Sequence, residues 1–162
     1  MFKMLISRIF QGKDADSTYA ILKNISIFKD LTWIELKKLE TIIHERTYAP
    51  EEVIFYEGEP GAGMYIIKKG AVAIIKKSES KETKIGQLKD GEFFGELSLL
   101  DEFSRSATAK AIEKTEILGF FRPDLLGLIK RDPKLGSKIL LVLAKMIGER
   151  LRITTTEKVK VL

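Results

Sequence analysis

Apolar and polar residues alternate over the middle of the chain, and they follow helical spacing on either side of it. Between residues 47 and 121, short runs rich in β-branched and aromatic residues are separated by turn signals at 58–61, 69–70 and 89–91. Closely spaced short strands of this kind predict an antiparallel, jelly-roll-like β-roll, which leaves few exposed sheet edges. The predicted strands cover 53–56, 64–67, 71–75, 83–88 and 117–121.

Helical patterns flank this roll on both sides. A short helix is predicted over 17–24, and Thr32 with Glu35 has the capping-box form that opens a helix running to about His44. After the roll, a short helix over 124–130 is ended by the Asp132-Pro133 pair, and a longer helix follows from 135 to at least 153. The fold class is therefore mainly β with flanking α: a β-roll with N-terminal helices and a long C-terminal helix.

Composition fits one globular domain. The chain has 162 residues, of which 44% are hydrophobic and 31% charged, and no apolar run approaches the roughly 18 residues of a membrane span. It has no cysteine and a single histidine, His44, which we expect in a structural role on a helix. Thiolate and histidine-cluster metal sites are thus excluded, and we expect no cofactor, no metal and a cytoplasmic location.

Charge is distributed unevenly. Residues 1–13 carry +3, residues 14–129 carry −4 and residues 130–162 carry +6, which together give the net charge of +5. The basic ends either meet an anionic partner or stay solvated, and we favour solvation. Residues 1–10 would form an amphipathic helix, for which packing on its own domain or on a partner is favoured over contact with a membrane.

The clearest chemistry lies in the segment 93–108. Gly95 allows a ligand to approach the backbone closely, and the planar donor fork of Arg105 suits a phosphate. Glu96 would repel a phosphate but can accept hydrogen bonds from sugar hydroxyls. The set suits a phosphorylated sugar, although the residues alone leave open a short surface helix with a Glu–Arg salt bridge.

The same segment resembles the phosphate-binding cassette of the cyclic nucleotide-binding domain family. The shared pattern over 94–107 is Phe-Gly-Glu-Leu, a small residue, two apolar residues, a short loop, then Arg, a small residue and Ala. Two positions depart from it: Ser98 stands where Ala or Gly is more usual, and Ser104 stands where Pro is frequent. The resemblance extends through the turn at 58–61 and, in element order, from about residue 17 to about residue 156.

The resemblance implies a domain over 17–156, between an N-terminal extension at 1–16 and a tail at 157–162. Its parts would be helices over 17–46, the β-roll over 47–121, and hinge and C-terminal helices over 122–156.

The implied ligand is cyclic AMP or cyclic GMP. Glu96 would accept a hydrogen bond from the ribose 2′-hydroxyl, Arg105 would bind the exocyclic phosphate oxygens, and Ser106 with nearby amides would complete the cradle. On the apolar wall, Ile85 and Leu88 are candidates for contact with the base. Thr155 or Thr156 would meet the base from the final helix, with a fraying surface terminus as an equal alternative. The remaining predicted contacts are Phe94, Gly95, Leu97, Ser98 and Ala107.

We therefore expect a regulatory module that binds a cyclic nucleotide and relays its occupancy to an unidentified protein partner by movement of the C-terminal helix. A homodimer through that helix is favoured, and direct DNA binding is not expected because the chain ends before a helix-turn-helix domain. One alternative is a degenerate scaffold or dimerisation module of the same fold. Another is a regulatory piece of a longer channel, kinase or enzyme. An enzyme on a cupin-like roll is disfavoured, because one histidine cannot form a metal cluster.

Overall fold

Two four-stranded antiparallel sheets pack against each other to form the roll. The structure is a computed structural model that describes residues 17–78 and 81–159, with side chains described as far as residue 153. The strands are β1 (His44–Tyr48), β2 (Val53–Phe55), β3 (Gly63–Lys69), β4 (Ala71–Ser78), β5 (Lys81–Lys89), β6 (Phe93–Phe94), β7 (Thr108–Ala111) and β8 (Thr115–Phe121). One sheet has the order β1-β8-β3-β6 and the other the order β2-β7-β4-β5, which confirms the predicted β-roll.

The interior of the roll is apolar and is built from both sheets. Aliphatic and aromatic side chains alternate inward from the strands, as expected when one face of each sheet is buried. The buried set is Tyr48, Ile67, Val72, Phe94, Ala109, Ala111 and Ile117.

In the described part of the chain, four helices flank the roll, and one 3₁₀ turn at Glu96–Leu99 lies within it. Ser17 caps the first described helix, α1 (Thr18–Asn24). Thr32 and Glu35 form the predicted capping box of the next helix, α2 (Trp33–Glu40). A second apolar cluster joins the helices to the outer face of β3 and β8, with Phe28 and Phe120 in edge-to-face contact. The helices are α1 (Thr18–Asn24), α2 (Trp33–Glu40), α3 (Arg122–Arg131) and α4 (Pro133–Val159).

The prediction that the second helix reaches His44, with helices up to residue 46, is wrong. The helix ends at Glu40, and His44 begins β1, so the strands start at 44 rather than 47. This strand pairs with β8 from His44 opposite Gly119 to Tyr48 opposite Thr115. Its charged residues carry no strand pattern, so the distant partner strand, rather than local propensity, determines its conformation.

Other boundaries also differ from the sequence prediction. The strands β6 and β7 were not predicted, because β6 has only two residues and β7 is rich in alanine and lysine. Helix α3 begins at Arg122 and α4 at Pro133, each two residues before the predicted start, while the break at Asp132 is confirmed. The predicted helix over 1–10 lies outside the described residues.

The first half of α4 is anchored to the rest of the domain. Lys138 of α4 forms an ion pair with Glu35 of α2 at 2.6 Å, and Asp132 pairs with Lys38 at 2.7 Å. The hydrogen bond from Lys138, together with the capping bond at Thr32, lowers the pKa of the Glu35 carboxyl. None of the helices in the described part of the chain is long and apolar enough to span a bilayer.

Candidate functional site

A cavity of about 580 Å³ opens where the segment 93–107 meets β4 and β5. Strands of the roll form its apolar wall, the loop after the 3₁₀ turn forms its polar side, and α4 contributes one side chain. Its size fits a small organic ligand. The lining residues are Phe55, Ile74, Leu88, Phe93, Phe94, Gly95, Glu96, Leu97, Ser98, Asp101, Phe103, Ser104, Arg105, Ser106, Ala107 and Arg150.

Gly95 turns the chain from β6 into the 3₁₀ turn. Its φ of +76° lies in the left-handed region that residues with a side chain rarely adopt. A Cβ atom at this position would lie only 2.5 Å from Nη1 of Arg105. Glycine is therefore required here both by the backbone conformation and by the close approach of the guanidinium.

The backbone around Arg105 is held by the turn at 58–61. The amide of Arg105 donates to the carbonyl of Glu59 at 2.8 Å, and the carbonyl of Arg105 accepts from the amide of Gly58 at 2.9 Å. The amide of Gly61 donates to the carbonyl of Phe103 at 3.2 Å. These bonds join the two motifs that the sequence analysis singled out into one ribbon, which directs the Arg105 side chain into the cavity.

The Arg105 side chain is buried, with 6% of its surface exposed. Its Nη2 donates to the carbonyl of Gly63 at 2.8 Å and its Nη1 to Oγ of Ser98 at 2.9 Å. The guanidinium carbon lies 4.1 Å from the ring centroid of Phe55 and 5.4 Å from that of Tyr65. These contacts orient the guanidinium, yet its Nε is buried and has no hydrogen-bond partner among the described residues.

Electrostatically, Arg105 is a buried cation whose acceptors are all neutral. No carboxylate among the described residues lies within ion-pair distance of it. Burial lowers the pKa of the guanidinium, with Tyr65, Glu59 and Glu96 acting in the opposite direction, although an arginine stays charged. A buried charge is costly without a counter-ion, so an anionic ligand would supply what this position lacks.

Glu96 lines the same cavity and is also buried, with 5% of its surface exposed. Its carboxylate pairs with the guanidinium of Arg150, which reaches the cavity from α4. The alternative of a surface salt bridge between Glu96 and Arg105 is thus wrong, because both side chains are buried and the partner of Glu96 is a different arginine. The site offers a cation for an anion and, separately, a carboxylate for hydroxyl donors.

The structure brings most of the predicted contacts together. Of the predicted contacts outside the cassette, Leu88 lies on the apolar wall, whereas Ile85 is 60% exposed and does not line the cavity. The backbone of Thr155 and Thr156 belongs to α4, but their side chains lie outside the described residues. Their contact with a base therefore stays a prediction. The cassette members on the cavity wall are Phe94, Gly95, Glu96, Leu97, Ser98, Arg105, Ser106 and Ala107.

Sequence reasoning missed the lining residues from other elements, and it also missed four within the segment 93–108. Arg150 stands among several basic residues on an amphipathic helix, and nothing in its local spacing distinguishes it. Phe55 was predicted only as part of a strand, although an aromatic next to a buried cation is a recognisable pairing once the fold is known. The missed set is Phe55, Ile74, Phe93, Asp101, Phe103, Ser104 and Arg150.

The roll and its cavity define a protein of the small-ligand-binding β-roll class. The sequence model of the cyclic nucleotide-binding domain matches residues 45–132. The chain belongs to the cyclic nucleotide-binding domain family, as its cassette indicated.

Two relatives are similar to this chain in sequence over most of its length. The Cyclic AMP receptor protein of Thermus thermophilus is 36% identical over 129 residues, which cover 79% of this chain and 60% of that protein. A cAMP-dependent protein kinase regulatory subunit of Hypocrea atroviridis is 32% identical over 124 residues, covering 72% of this chain and 26% of that protein. The chain thus spans 60% and 26% of the lengths of these two relatives.

A solved structure shows the same fold. The crystal structure of a cyclic nucleotide-binding domain from Methylobacillus flagellatus superposes with a TM-score of 0.73 at 27% sequence identity. The match covers 88% of this chain and 83% of that one. The similarity therefore includes the helices as well as the roll.

Proposed function

We propose that this chain binds cyclic AMP or cyclic GMP in the cavity and relays its occupancy to a protein partner. The observation that carries the proposal is the buried guanidinium of Arg105, which has no carboxylate partner among the described residues and shares its cavity with the buried carboxylate of Glu96. A cyclic nucleotide presents one anionic diester close to a ribose hydroxyl. These two groups complement the guanidinium of Arg105 and the carboxylate of Glu96. The similarity to the Cyclic AMP receptor protein of Thermus thermophilus supports cyclic AMP as one of the two candidates.

In the proposed complex, the phosphate lies against Arg105 and accepts two hydrogen bonds from guanidinium N–H groups that the bonds to Ser98 and Gly63 leave over. Ser106, the next residue on the cavity wall, adds a hydroxyl, and Glu96 accepts from the ribose 2′-hydroxyl. Ile74 and Leu88 supply apolar surface for the base. Binding alone accounts for these roles, so no bond of the nucleotide is made or broken.

Calorimetric titration with cyclic AMP, cyclic GMP and 5′-AMP tests this proposal. We expect saturable binding of at least one cyclic nucleotide and much weaker binding of 5′-AMP, because its open phosphate carries a second negative charge into a site where Arg105 is the cation without a carboxylate partner among the described residues. The ratio of the two cyclic nucleotide affinities identifies the preferred base. Absence of saturation by either cyclic nucleotide at millimolar concentration would instead support the scaffold alternative.

The ion pair between Glu96 and Arg150 supports a route for the relay. The same carboxylate that would accept from the ribose hydroxyl holds α4 at Arg150, while the first half of the helix is anchored by Lys138 to Glu35. A ligand that binds Glu96 must therefore change the environment of Arg150. It can shift the helix only to the extent that it binds the two helix positions with different affinity.

Arg150→Gln should uncouple the second half of α4 from the site. We expect saturating nucleotide to change amide hydrogen exchange over 144–153 in the wild type and to leave it unchanged in the variant, because the neutral, shorter glutamine cannot form the ion pair with Glu96. Arg152→Gln, a charge loss two residues further along and outside the cavity lining, is the matched control and should respond as the wild type does. An equal ligand response in all three proteins rejects this route.

A second copy of the chain is the partner that α4 itself favours. Leu141 and Leu151 are 57% and 63% exposed, and with Ala144 and Gly148 between them they follow the alternating three- and four-residue spacing of a coiled-coil seam. Two such helices would bury these leucines against each other. Sedimentation velocity that finds only monomer across the micromolar range would contradict the homodimer.

A further inference from the structure

We propose that Ser98 is a positioning residue that holds Arg105 in its phosphate-binding orientation before the ligand arrives. The inference rests on the proposed function and concerns a position at which this chain carries a hydroxyl where Ala or Gly is more usual. Ser98 is 6% exposed, and its Oγ accepts from Nη1 of Arg105 at 2.9 Å. Because the buried Ser98 hydroxyl is hydrogen-bonded to the cation that would bind the phosphate, Ser98 does more than fill space as a small residue would.

The surrounding backbone provides room for this hydroxyl. Gly61, in the turn that holds the backbone of Arg105, lies directly against Ser98, and a Cβ atom at Gly61 would collide with the Ser98 Oγ. The space left by the missing side chain of Gly61 is thus occupied by the serine hydroxyl. Gly61 is fixed in turn by its amide bond to the carbonyl of Phe103.

The bond from Ser98 completes the orientation of the guanidinium. Nη2 is held by the carbonyl of Gly63 at 2.8 Å, and the guanidinium plane rests on Phe55. Among the described residues, the other acceptor of Nη1 is the carbonyl of Gly95, at a long 3.4 Å. Without the hydroxyl of Ser98, Nη1 would keep only this weak bond, and the guanidinium could turn about its Nε–Cζ bond.

Orientation before binding reduces the ordering that the ligand must impose. With both terminal nitrogens held, the guanidinium lies on the cavity wall in a fixed orientation. Ser98→Ala removes an acceptor from a charged donor and leaves the charge in place. The ligand must then order the side chain as it binds, so we expect its affinity to fall by about tenfold.

The test compares wild type, Ser98→Ala and the matched surface control Ser137→Ala, which lies on the exposed side of α4. Calorimetry uses whichever cyclic nucleotide the wild type binds more tightly, and thermal unfolding checks that each variant is folded. We expect about tenfold weaker binding in Ser98→Ala alone. In the Arg105→Lys background, the same substitution should change affinity by less than about twofold, because there is no guanidinium left to orient.

A second measurement needs no ligand and isolates the positioning role. Nitrogen-15 NMR of the free protein reports rotation of the Arg105 guanidinium about Nε–Cζ, which we expect to be slow in the wild type and fast in Ser98→Ala. If the rotation of the Arg105 guanidinium is the same in Ser98→Ala as in the wild type, the inference about Ser98 is overturned. It is also overturned if Ser98→Ala binds the nucleotide as tightly as the wild type or more tightly. A wild type that binds neither nucleotide overturns the proposed function instead, and the rotation measurement still decides the role of Ser98.

Discussion

Arg105→Ala is expected to weaken cyclic nucleotide binding by roughly 10²- to 10⁴-fold, the largest effect of any single substitution in the site. Each charge-assisted hydrogen bond contributes about 1.5–3 kcal/mol, and a phosphate held by two such bonds loses both. We expect the fold to persist, because the substitution also removes a buried charge that has no carboxylate partner in the described part of the chain. Calorimetry measures the affinity and thermal unfolding checks the fold.

Arg46→Ala is a close chemical control for this experiment. Arg46 also lies over an aromatic ring, with its guanidinium carbon 4.4 Å from the centroid of Tyr48, but it is exposed and outside the cavity. Its loss should leave affinity unchanged. Arg105→Lys keeps the charge without the planar fork and should fall between the wild type and Arg105→Ala. An affinity of Arg105→Ala within about threefold of the wild type would show that Arg105 does not bind the phosphate.

Gly95→Ala should produce the second-largest loss, a decrease in affinity of at least about tenfold. The alanine must adopt a φ of +76°, which costs about 1–2 kcal/mol of stability. Its Cβ would also lie 2.5 Å from Nη1 of Arg105 and 3.1 Å from the carbonyl oxygen of Gly63. The guanidinium therefore has to move away from the position at which both of its terminal nitrogens are held.

Gly91→Ala separates the backbone effect from the displacement of Arg105. Gly91 has a similar φ of +80°, but a Cβ there has no heavy atom within 4 Å. Both variants should lose a similar free energy of unfolding, measured by chemical denaturation, while only Gly95→Ala loses affinity in calorimetry. Equal losses of affinity in the two variants would mean that general destabilisation, not the contact with Arg105, weakens binding.

Local sequence signals predicted much of this domain. The capping box at Thr32 and Glu35 and the break at Asp132 depend on residues within a few positions of each other, and both are present in the structure. The cassette was recognisable for the same reason. A continuous segment that includes Gly95, Glu96 and Arg105 forms most of the polar side of the cavity. Residues that are close in the sequence are therefore also close together in the site.

The features that were missed depend on contacts between distant segments. Strand β1 contains two consecutive charged residues, Glu45 and Arg46, and extends because β8 pairs with it. Ile85 and Leu88 belong to the same strand, yet only Leu88 faces the cavity, and strand length alone does not show which face is buried. The neutral acceptors around Arg105 include the carbonyl of Gly63, which no side-chain pattern can indicate.

The ion pair of Glu96 with Arg150 joins residues 54 positions apart in the sequence. During synthesis, the roll can therefore emerge from the ribosome and begin to fold while the arginine that closes its cavity is still being added. A nascent chain at that stage would present Glu96 without its helical partner. All the residues that line the cavity are thus available together only after α4 has been synthesised.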